Sequence, residues 1–202
     1  MLKRLAMLGL LAAFGCTTRL SNPPIGAGPT GDPLVPTTLP AGAIRLSAAN
    51  TRVTFIGTAV MNSHEGTFTQ LSGVLRAVDD DPNHATLTAT IETASVYTEI
   101  GLLTQHLKAA DFFDVERYPL ATFTSTRIES GPGQRDQHVV TGDFTIHGTT
   151  RRLSFPARIA ITDQAVDLDA TITIRQSDFG MDPTRSTTDD VPVTVTCRLR
   201  RH

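Results

Sequence analysis

HLKAADFFDVERYPLATFTST, residues 106–126, joins a short amphipathic segment to the beginning of a β-strand. In and just before it, apolar side chains recur at the three- and four-residue spacings of one helix face. These side chains are Ile100, Leu103 and Leu107. Pro119 stops any helix, because proline disfavours a helical conformation in the residue before it. The pattern predicts a short helical insertion near residues 98–116, with its first helical segment ending near Lys108.

The rest of the chain alternates apolar and polar residues with a period of two, which is typical of half-buried strands. Turn-forming clusters separate the alternating runs at residues 79–83, 130–136, 148–150 and 162–164. About eight short antiparallel strands with one apolar face each are predicted, and they suit either an all-β barrel or a sandwich. The apolar positions of the runs are Val53 and Phe55; Leu87, Ala89 and Ile91; Ala121 and Phe123; Val140, Gly142, Phe144 and Ile146; Leu153, Phe155, Ala157 and Ile159; and Val166, Leu168, Ala170, Ile172 and Ile174.

Several blocks of the chain are similar to the signature of one protein family. Besides residues 106–126, they are NSHEGTFTQLSG (62–73), TIETASV (90–96), VTGDFTIHGTT (140–150) and QSDFGM (176–181). Together they resemble the YceI-like family over roughly residues 50–199. The resemblance implies an exported, lipocalin-like antiparallel β-barrel of about eight strands that holds a long apolar chain. It also implies that the helical insertion closes one end of this barrel.

The N-terminal 43 residues have the composition of a leader and a spacer. Residues 1–15 combine a basic start, an apolar run and small residues, the layout of a secretory signal peptide. We expect Cys16 to be lipidated; the alternative is an ordinary signal peptidase site that leaves Cys16 as an unmodified thiol. Residues 16–43, rich in Pro, Thr and Gly, predict a disordered tether, followed by the barrel domain at 44–202. The expected product is a membrane-anchored lipoprotein of the bacterial cell envelope that faces the periplasm.

Charge and cysteine content exclude several classes of partner. The formal net charge is −2 and no basic tract is present, which argues against a nucleic-acid partner. Cys197 shares strand parity with Val191, Val193, Val195 and Leu199, so we expect a buried apolar position for it rather than a metal ligand. No cysteine or histidine spacing of a metal site accompanies it.

An enzymatic interpretation would start from four neighbouring side chains: His106, Asp111, Asp114 and Glu116. Acid–base catalysis requires a nucleophile or a water molecule held against a base, and the chain has no GxSxG, HExxH or P-loop motif. His64 and Glu65 lack a metal-ligand spacing, and the acidic run at 79–81 lacks the other ligands of a calcium loop. We therefore expect no enzyme, no metal and no cofactor other than a bound lipid.

Phenylalanines dominate an interior whose other positions are often small. An eight-stranded barrel is either filled by its own side chains or holds one apolar ligand, and small inner residues such as Ala89 and Ala121 favour a cavity. The predicted ligand-contacting residues are Phe55, Phe68, His106, Leu107, Phe112, Phe113, Ala121, Phe123, Phe144 and Phe155. Candidates for contact with a polar head group are His106, Lys108, Arg117 and Arg76.

The function predicted from these features is sequestration or transport of a long-chain apolar amphiphile, such as a polyisoprenoid or a quinone. The alternative is an envelope structural or interaction module whose barrel is filled by its own side chains.

Overall fold

The computed structural model describes residue 39 and residues 42–58, 62–182 and 188–201. In this part of the chain, eleven antiparallel strands form one sheet. The strands are β1 (Ala43–Ser47), β2 (Thr51–Thr58), β3 (Ser63–Phe68), β4 (Leu71–Val78), β5 (Asp81–Glu92), β6 (Val96–Thr98), β7 (Leu120–Ser130), β8 (Gln137–Ile146), β9 (Thr149–Ile161), β10 (Ala165–Arg175) and β11 (Asp190–Arg200). One α-helix, α1 (Gly101–Lys108), and two 3-10 turns, Thr93–Ser95 and Gln176–Phe179, complete the described elements.

One short connection between strands draws the two sides of the sheet together. Its strand order is β1-β4-β5-β7-β8-β9-β10-β11-β2-β3-β6. The 3-10 turn Thr93–Ser95 leads β5 directly into β6, and β6 pairs with β3 at the far end of that order. At this corner Thr69 N donates to Ser95 O at 3.2 Å, and Glu92 N donates to Gln70 O at 3.1 Å. This connection joins β5, the third strand of the order, to β6, its last strand, and the sheet therefore curls back on itself.

Alternation along each strand decides which side chains face inward, because successive residues of a strand point to opposite faces. On β10, Val166, Leu168 and Ala170 are buried. The intervening Asp167 and Asp169 face outward, where Arg198 pairs with both. Register shifts in β4 and in β7 add local bends, as extra residues in a strand do.

The interior divides into two apolar clusters at opposite ends of the strands. We call the first the packed end; several of its side chains are less than 2% exposed, among them Leu75, Val140, Ile159 and Val166. We call the second the helix end, because Leu107 of α1 and the following Phe112 and Phe113 pack there on strand residues. The space inside the curled sheet therefore has packed side chains at one end and the helix as a cover at the other.

Two features tie the packed end together. Asp79 and Asp80, both with φ of 54°, form the two-residue turn between β4 and β5, a conformation that Asp tolerates better than most residues. Arg201, just beyond β11, donates two hydrogen bonds to Asp80, at 3.0 and 2.9 Å. The end of the chain is therefore bound to the first half of the sheet.

The predicted all-β, lipocalin-like antiparallel fold with a short helical insertion is confirmed, and α1 ends at Lys108 as expected. The described residues contain eleven strands rather than about eight. β1 and β6 are too short to show a clear alternation, and the block at 62–73 divides into β3 and β4. The signal peptide, Cys16 and nearly all of the tether lie outside the described residues and stay predictions.

Candidate functional site: an apolar cavity beneath the helix

A cavity of about 420 Å³ lies inside the curled sheet. Inward-facing side chains of most strands form its wall, and α1 with the turn that follows covers it at the helix end. Its inner limit is formed by Leu46, Leu168 and Cys197, which belong to the packed cluster. The cavity therefore runs along the inside of the curled sheet and ends where packed side chains fill the interior.

Three phenylalanines meet on one side of the cavity. The ring centroids of Phe55 and Phe68 are 5.6 Å apart, those of Phe68 and Phe113 are 5.6 Å apart, and those of Phe55 and Phe113 are 6.5 Å apart. Tilted and edge-on arrangements at such distances are favourable for aromatic pairs. Gly66 is the cross-strand partner of Phe55, and a methyl group there would overlap the Phe55 ring. Because Gly66 has no side chain, the ring can lie close against the sheet.

Helix α1 turns its apolar face into the cavity. Leu103 and Leu107, four residues apart on one face, both line it. After the helix, Phe113 N donates to Leu107 O at 3.1 Å and Phe112 N donates to Ala109 O at 3.1 Å. These bonds fold the turn back under α1, and this directs both phenylalanines inward, where they are 5% and 8% exposed.

Hydroxyl groups attach the start of α1 to β6. Thr98 N donates to Thr104 Oγ1 at 3.0 Å, and the two threonine hydroxyl oxygens are 2.9 Å apart. Thr98 Oγ1 also donates to the backbone oxygen of Ile100 at 2.9 Å. Ile100 itself, at the N-cap position, contributes no side-chain cap. The threonine pair thus fixes the first turn of α1 to the end of β6.

The cavity opens beside α1. Of the residues that line it, two are exposed to solvent: Ile100, 44% exposed, and His106, whose side chain is 44% exposed. We call this opening the mouth. His106 Nδ1 is 3.7 Å from Asp111 Oδ2, and its ring meets the Phe112 ring edge-on at 4.9 Å. The imidazole is therefore held at the mouth by one apolar and one acidic neighbour.

The lining suits an apolar ligand with a weakly polar end. Among the described residues, no Asp, Glu, Lys or Arg lines the cavity. Its polar members include His64, Thr98, His106 and Gln176, and Gln176 Nε2 donates to Thr188 O at 3.0 Å. A long hydrocarbon can be buried here without stripping water from a charged side chain, which would be costly.

Cys197 lies at the inner limit of the cavity and is 1% exposed. Burial raises the pKa of its thiol, so the reactive thiolate is disfavoured. It packs as a small apolar group beside its cross-strand partner Thr51, as its strand parity predicts.

The structure brings nine of the ten predicted ligand-contacting residues to the cavity wall; their contact with a ligand stays a prediction. These nine are Phe55, Phe68, His106, Leu107, Phe112, Phe113, Ala121, Phe123 and Phe144. Phe155 does not line the cavity. It faces inward but lies in the packed end, with its ring 5.6 Å from that of Phe123. Strand parity indicates the face of a residue and not its depth along the barrel, which is why Phe155 was misplaced.

Of the proposed head-group residues, His106 alone lines the cavity. The Arg117 guanidinium lies over the Tyr118 ring, 5.1 Å from its centroid, and Arg76 is exposed on β4. The sequence prediction also missed aliphatic wall residues on the last two strands. They are Ile172, Ile174, Val191, Val193 and Val195; their alternation predicted the inner face for them but not their depth along the strands.

The acidic residues near His106 do not assemble with it into a metal-binding group. Within residues 42–58, 62–182 and 188–201, no cluster of three or more His, Cys, Asp or Glu side chains could hold a metal ion. In the same ranges, none of the helices has the length and apolar character needed to cross a bilayer.

Comparison with known proteins gives three kinds of match. A family model described as the YceI-like domain matches residues 45–199. A UPF0312 protein of Pseudomonas putida (strain W619) is 31% identical over 122 residues, which is 57% of this chain and 62% of that protein. Protein YceI of Escherichia coli O157:H7 is 34% identical over 94 residues, 46% of this chain and 48% of that protein. The chain thus spans about half to under two thirds of these relatives.

Solved structures share the fold over more of the chain. Burkholderia cenocepacia BcnA superposes with a TM-score of 0.69 at 23% identity and covers 75% of this chain and 98% of its own. The Campylobacter jejuni YCEI protein gives 0.61 at 25% identity, with 68% and 84% covered. A polyisoprenoid binding domain from Saccharophagus degradans, implicated in plant cell wall breakdown, gives 0.64 at 14% identity, with 80% and 99% covered.

Proposed function

This chain belongs to the YceI-like family, and from that premise we propose that it is an exported protein that binds a long-chain amphiphile of the polyisoprenoid or quinone type. The ligand's tail lies in the cavity and its polar end reaches the mouth at His106. The protein carries or stores the ligand in the bacterial cell envelope without altering it chemically. Lipidation of Cys16 keeps it at the membrane.

The observation that carries this proposal is the apolar cavity beneath α1. Burial of hydrocarbon contributes roughly 0.8 kcal/mol per CH₂ group. The free energy gained by burying a tail of a few isoprene units therefore exceeds the cost of association, and the expected affinity is about micromolar or better. A structural neighbour described as a polyisoprenoid binding domain supports the choice of ligand class.

The wall residues have distinct roles in this binding. The three phenylalanines Phe55, Phe68 and Phe113 supply a rigid apolar surface. The aliphatic wall residues of β10 and β11 contact the rest of a flexible tail. Leu103 and Leu107 close the lumen over the ligand. His106 is placed to donate a hydrogen bond to a hydroxyl, carbonyl or phosphate oxygen at the ligand's polar end.

The test is native mass spectrometry on the full chain carrying Cys16→Ser, purified from a bacterial envelope without detergent, followed by organic extraction. We expect a bound lipid of defined mass, or uptake of added prenyl lipid by the empty protein. A protein that is empty and takes up neither prenyl lipids nor quinones would instead favour the interaction module with a ligand-free barrel.

Two size-matched substitutions separate loss of the cavity from loss of the fold. Ala121 is 2% exposed and lines the cavity, so Ala121→Trp should fill the lumen and abolish uptake. Ala160 is half-buried on the outer face of β9, so Ala160→Trp should leave uptake unchanged. Equal uptake by both folded variants would place the ligand outside this cavity.

The membrane anchor is tested separately by Cys16→Ala. If residue 16 carries the lipid, the variant should leave the membrane fraction and appear in the soluble envelope fraction. Retention of Cys16→Ala in the membrane would show that acylation does not hold the protein there.

A further inference from the structure

Three exposed apolar side chains lie in the segment 97–102, which leads to the mouth of the cavity. Leu102 of α1 is 78% exposed, Tyr97 of β6 is 56% exposed and Ile100 between them is 44% exposed. Among the described residues, the other large apolar side chains with such exposure are Ile56 (44%) and Val78 (46%), and both lie on strands outside residues 97–102. We call Tyr97, Ile100 and Leu102 the apolar rim.

The apolar rim is continuous with the cavity. Ile100 both reaches solvent and lines the lumen. Leu102 precedes His106 by four residues, so the two side chains are neighbours on the helix surface, and His106 lines the mouth. Any surface that covers the rim therefore also covers the path by which a tail enters or leaves.

The charges near the rim indicate which surface fits it. Residues 97–118 contain four carboxylates, at 99, 111, 114 and 116, and two basic side chains, at 108 and 117. This balance does not favour an anionic surface, which attracts clusters of Lys and Arg. An isoleucine, a leucine and a tyrosine together are the residue types that enter the boundary between head groups and acyl chains.

We propose that the apolar rim docks on a zwitterionic lipid surface and that the ligand passes directly between this surface and the cavity. Docking places Leu102 and Ile100 among the outer acyl segments and Tyr97 at the head groups. The tail then moves from bilayer to lumen along Ile100 without crossing water. This inference rests on the proposed lipid-binding function, although docking itself does not require a bound ligand.

The test compares the full chain carrying Cys16→Ser with two variants made in the same background. Tyr97 and Leu102 do not line the cavity, so the double variant Tyr97→Ser/Leu102→Ser removes two of the three rim side chains and leaves the binding wall, including Ile100, intact. Val78, 46% exposed at the end of β4 away from α1, supplies the matched control, Val78→Ser. The leader is common to all three proteins and cancels in the comparison.

Flotation with phosphatidylcholine vesicles measures docking alone. The double variant should bind at least about tenfold more weakly, because it can no longer bury the Tyr97 and Leu102 side chains in the bilayer. Val78→Ser should bind like its parent. Added phosphatidylglycerol should not strengthen binding, and salt should not weaken it. Equal binding by the double variant, or binding that rises with anionic lipid and falls with salt, would overturn the proposal.

Transfer of a fluorescent geranylgeraniol analogue from loaded protein to the vesicles measures exchange. We expect a rate that increases with vesicle concentration for the parent and falls about tenfold in the double variant, with equal loading of both. A parent that never takes up the probe would refute the proposed function while leaving the flotation result to decide docking. Sedimentation that shows a dimer dissociated by the double substitution would identify the rim as a protein interface and refute lipid docking.

Discussion

At the scale of single residues, two glycines determine how much of the lumen stays open. A methyl group at Gly66 would overlap the Phe55 ring, and one at Gly142 would overlap the Phe123 ring. Each phenylalanine ring therefore occupies space that a side chain at the glycine would take. The small residues predicted to leave empty volume act differently from one another: Ala121 borders the cavity, whereas the space beside Gly142 is filled by a ring.

Gly66→Ala should push the Phe55 ring into the cavity. We expect a loss of about 1–3 kcal/mol in the free energy of unfolding, which is typical of overpacking, together with weaker uptake of prenyl lipid. Urea denaturation measures the loss of stability, and a titration with prenyl lipid measures the uptake.

Gly101→Ala is the matched control, because a methyl group at Gly101 meets no atom within 4 Å. It should leave uptake unchanged and keep or slightly raise stability, since alanine is the better helix former. A Gly66→Ala protein as stable and as active in uptake as Gly101→Ala would mean that Phe55 has room to move.

At the scale of elements, α1 depends on its surroundings for its stability. It has eight residues, and isolated helices of this length are unstable in water. Leu103 and Leu107 attach it to the cavity, and the Thr98–Thr104 hydroxyl pair attaches its first turn to β6. The element that covers the ligand is thus held by a small number of separable contacts.

Thr104→Val keeps the shape of the side chain and removes its hydroxyl group. We expect a loss of about 1 kcal/mol in stability, faster amide exchange across α1 and faster release of a bound lipid probe. Hydrogen exchange followed by mass spectrometry resolves α1 from the strands.

Thr88→Val is the control, because Thr88 is exposed on β5 and is not part of this hydroxyl pair. It should change neither exchange in α1 nor release of the probe. If the amides of α1 exchange as slowly in Thr104→Val as in the parent, the apolar contacts alone hold the helix.

At the scale of the whole molecule, the two ends of the curled sheet differ. One end is filled with packed side chains and held by an ion pair, while the other contains the open mouth of the cavity. The packed end contains several side chains that are almost fully buried, and the bidentate Arg201–Asp80 pair joins the residue after β11 to the turn between β4 and β5 there. The hydrogen bonds from Arg201 hold the pKa of Asp80 below its ordinary value of 3.8. Stability from this pair is therefore present above that value and is lost as the pH falls through the lower, folded-state pKa.

Asp80→Asn should lower the free energy of unfolding by on the order of 0.5 kcal/mol near neutral pH, since the pair is partly solvated. The difference from the parent should disappear in acid, where Asp80 of the parent is protonated too. Urea denaturation at a series of pH values measures it. Asp79→Asn removes the same charge at a residue with the same φ; an equal loss there would assign the effect to net charge and not to Arg201.

Sequence patterns were sufficient for most of the strands and for the helix, while the choice of a barrel over a sandwich came from the resemblance to the YceI-like family. Alternation placed β2 and β7 to β11, and helical spacing placed α1, because both patterns depend on one face being buried. The connection from β5 to β6 through the turn at Thr93–Ser95 was not predictable, since three-residue β6 shows no period. Phe155 was misassigned and the valines of β11 were missed for one reason: the depth of a residue along the barrel depends on register between distant strands.

The location of Ala43 and Arg201 has a consequence for how this domain can be combined with others. Ala43 pairs with Arg76 and Arg201 contacts Asp80, so both backbone connections of the domain emerge at the packed end. A fusion partner joined before Ala43 or after Arg201 would therefore sit behind the barrel. The same module can be appended to either terminus of a larger polypeptide, or inserted within one, and still present its opening outward.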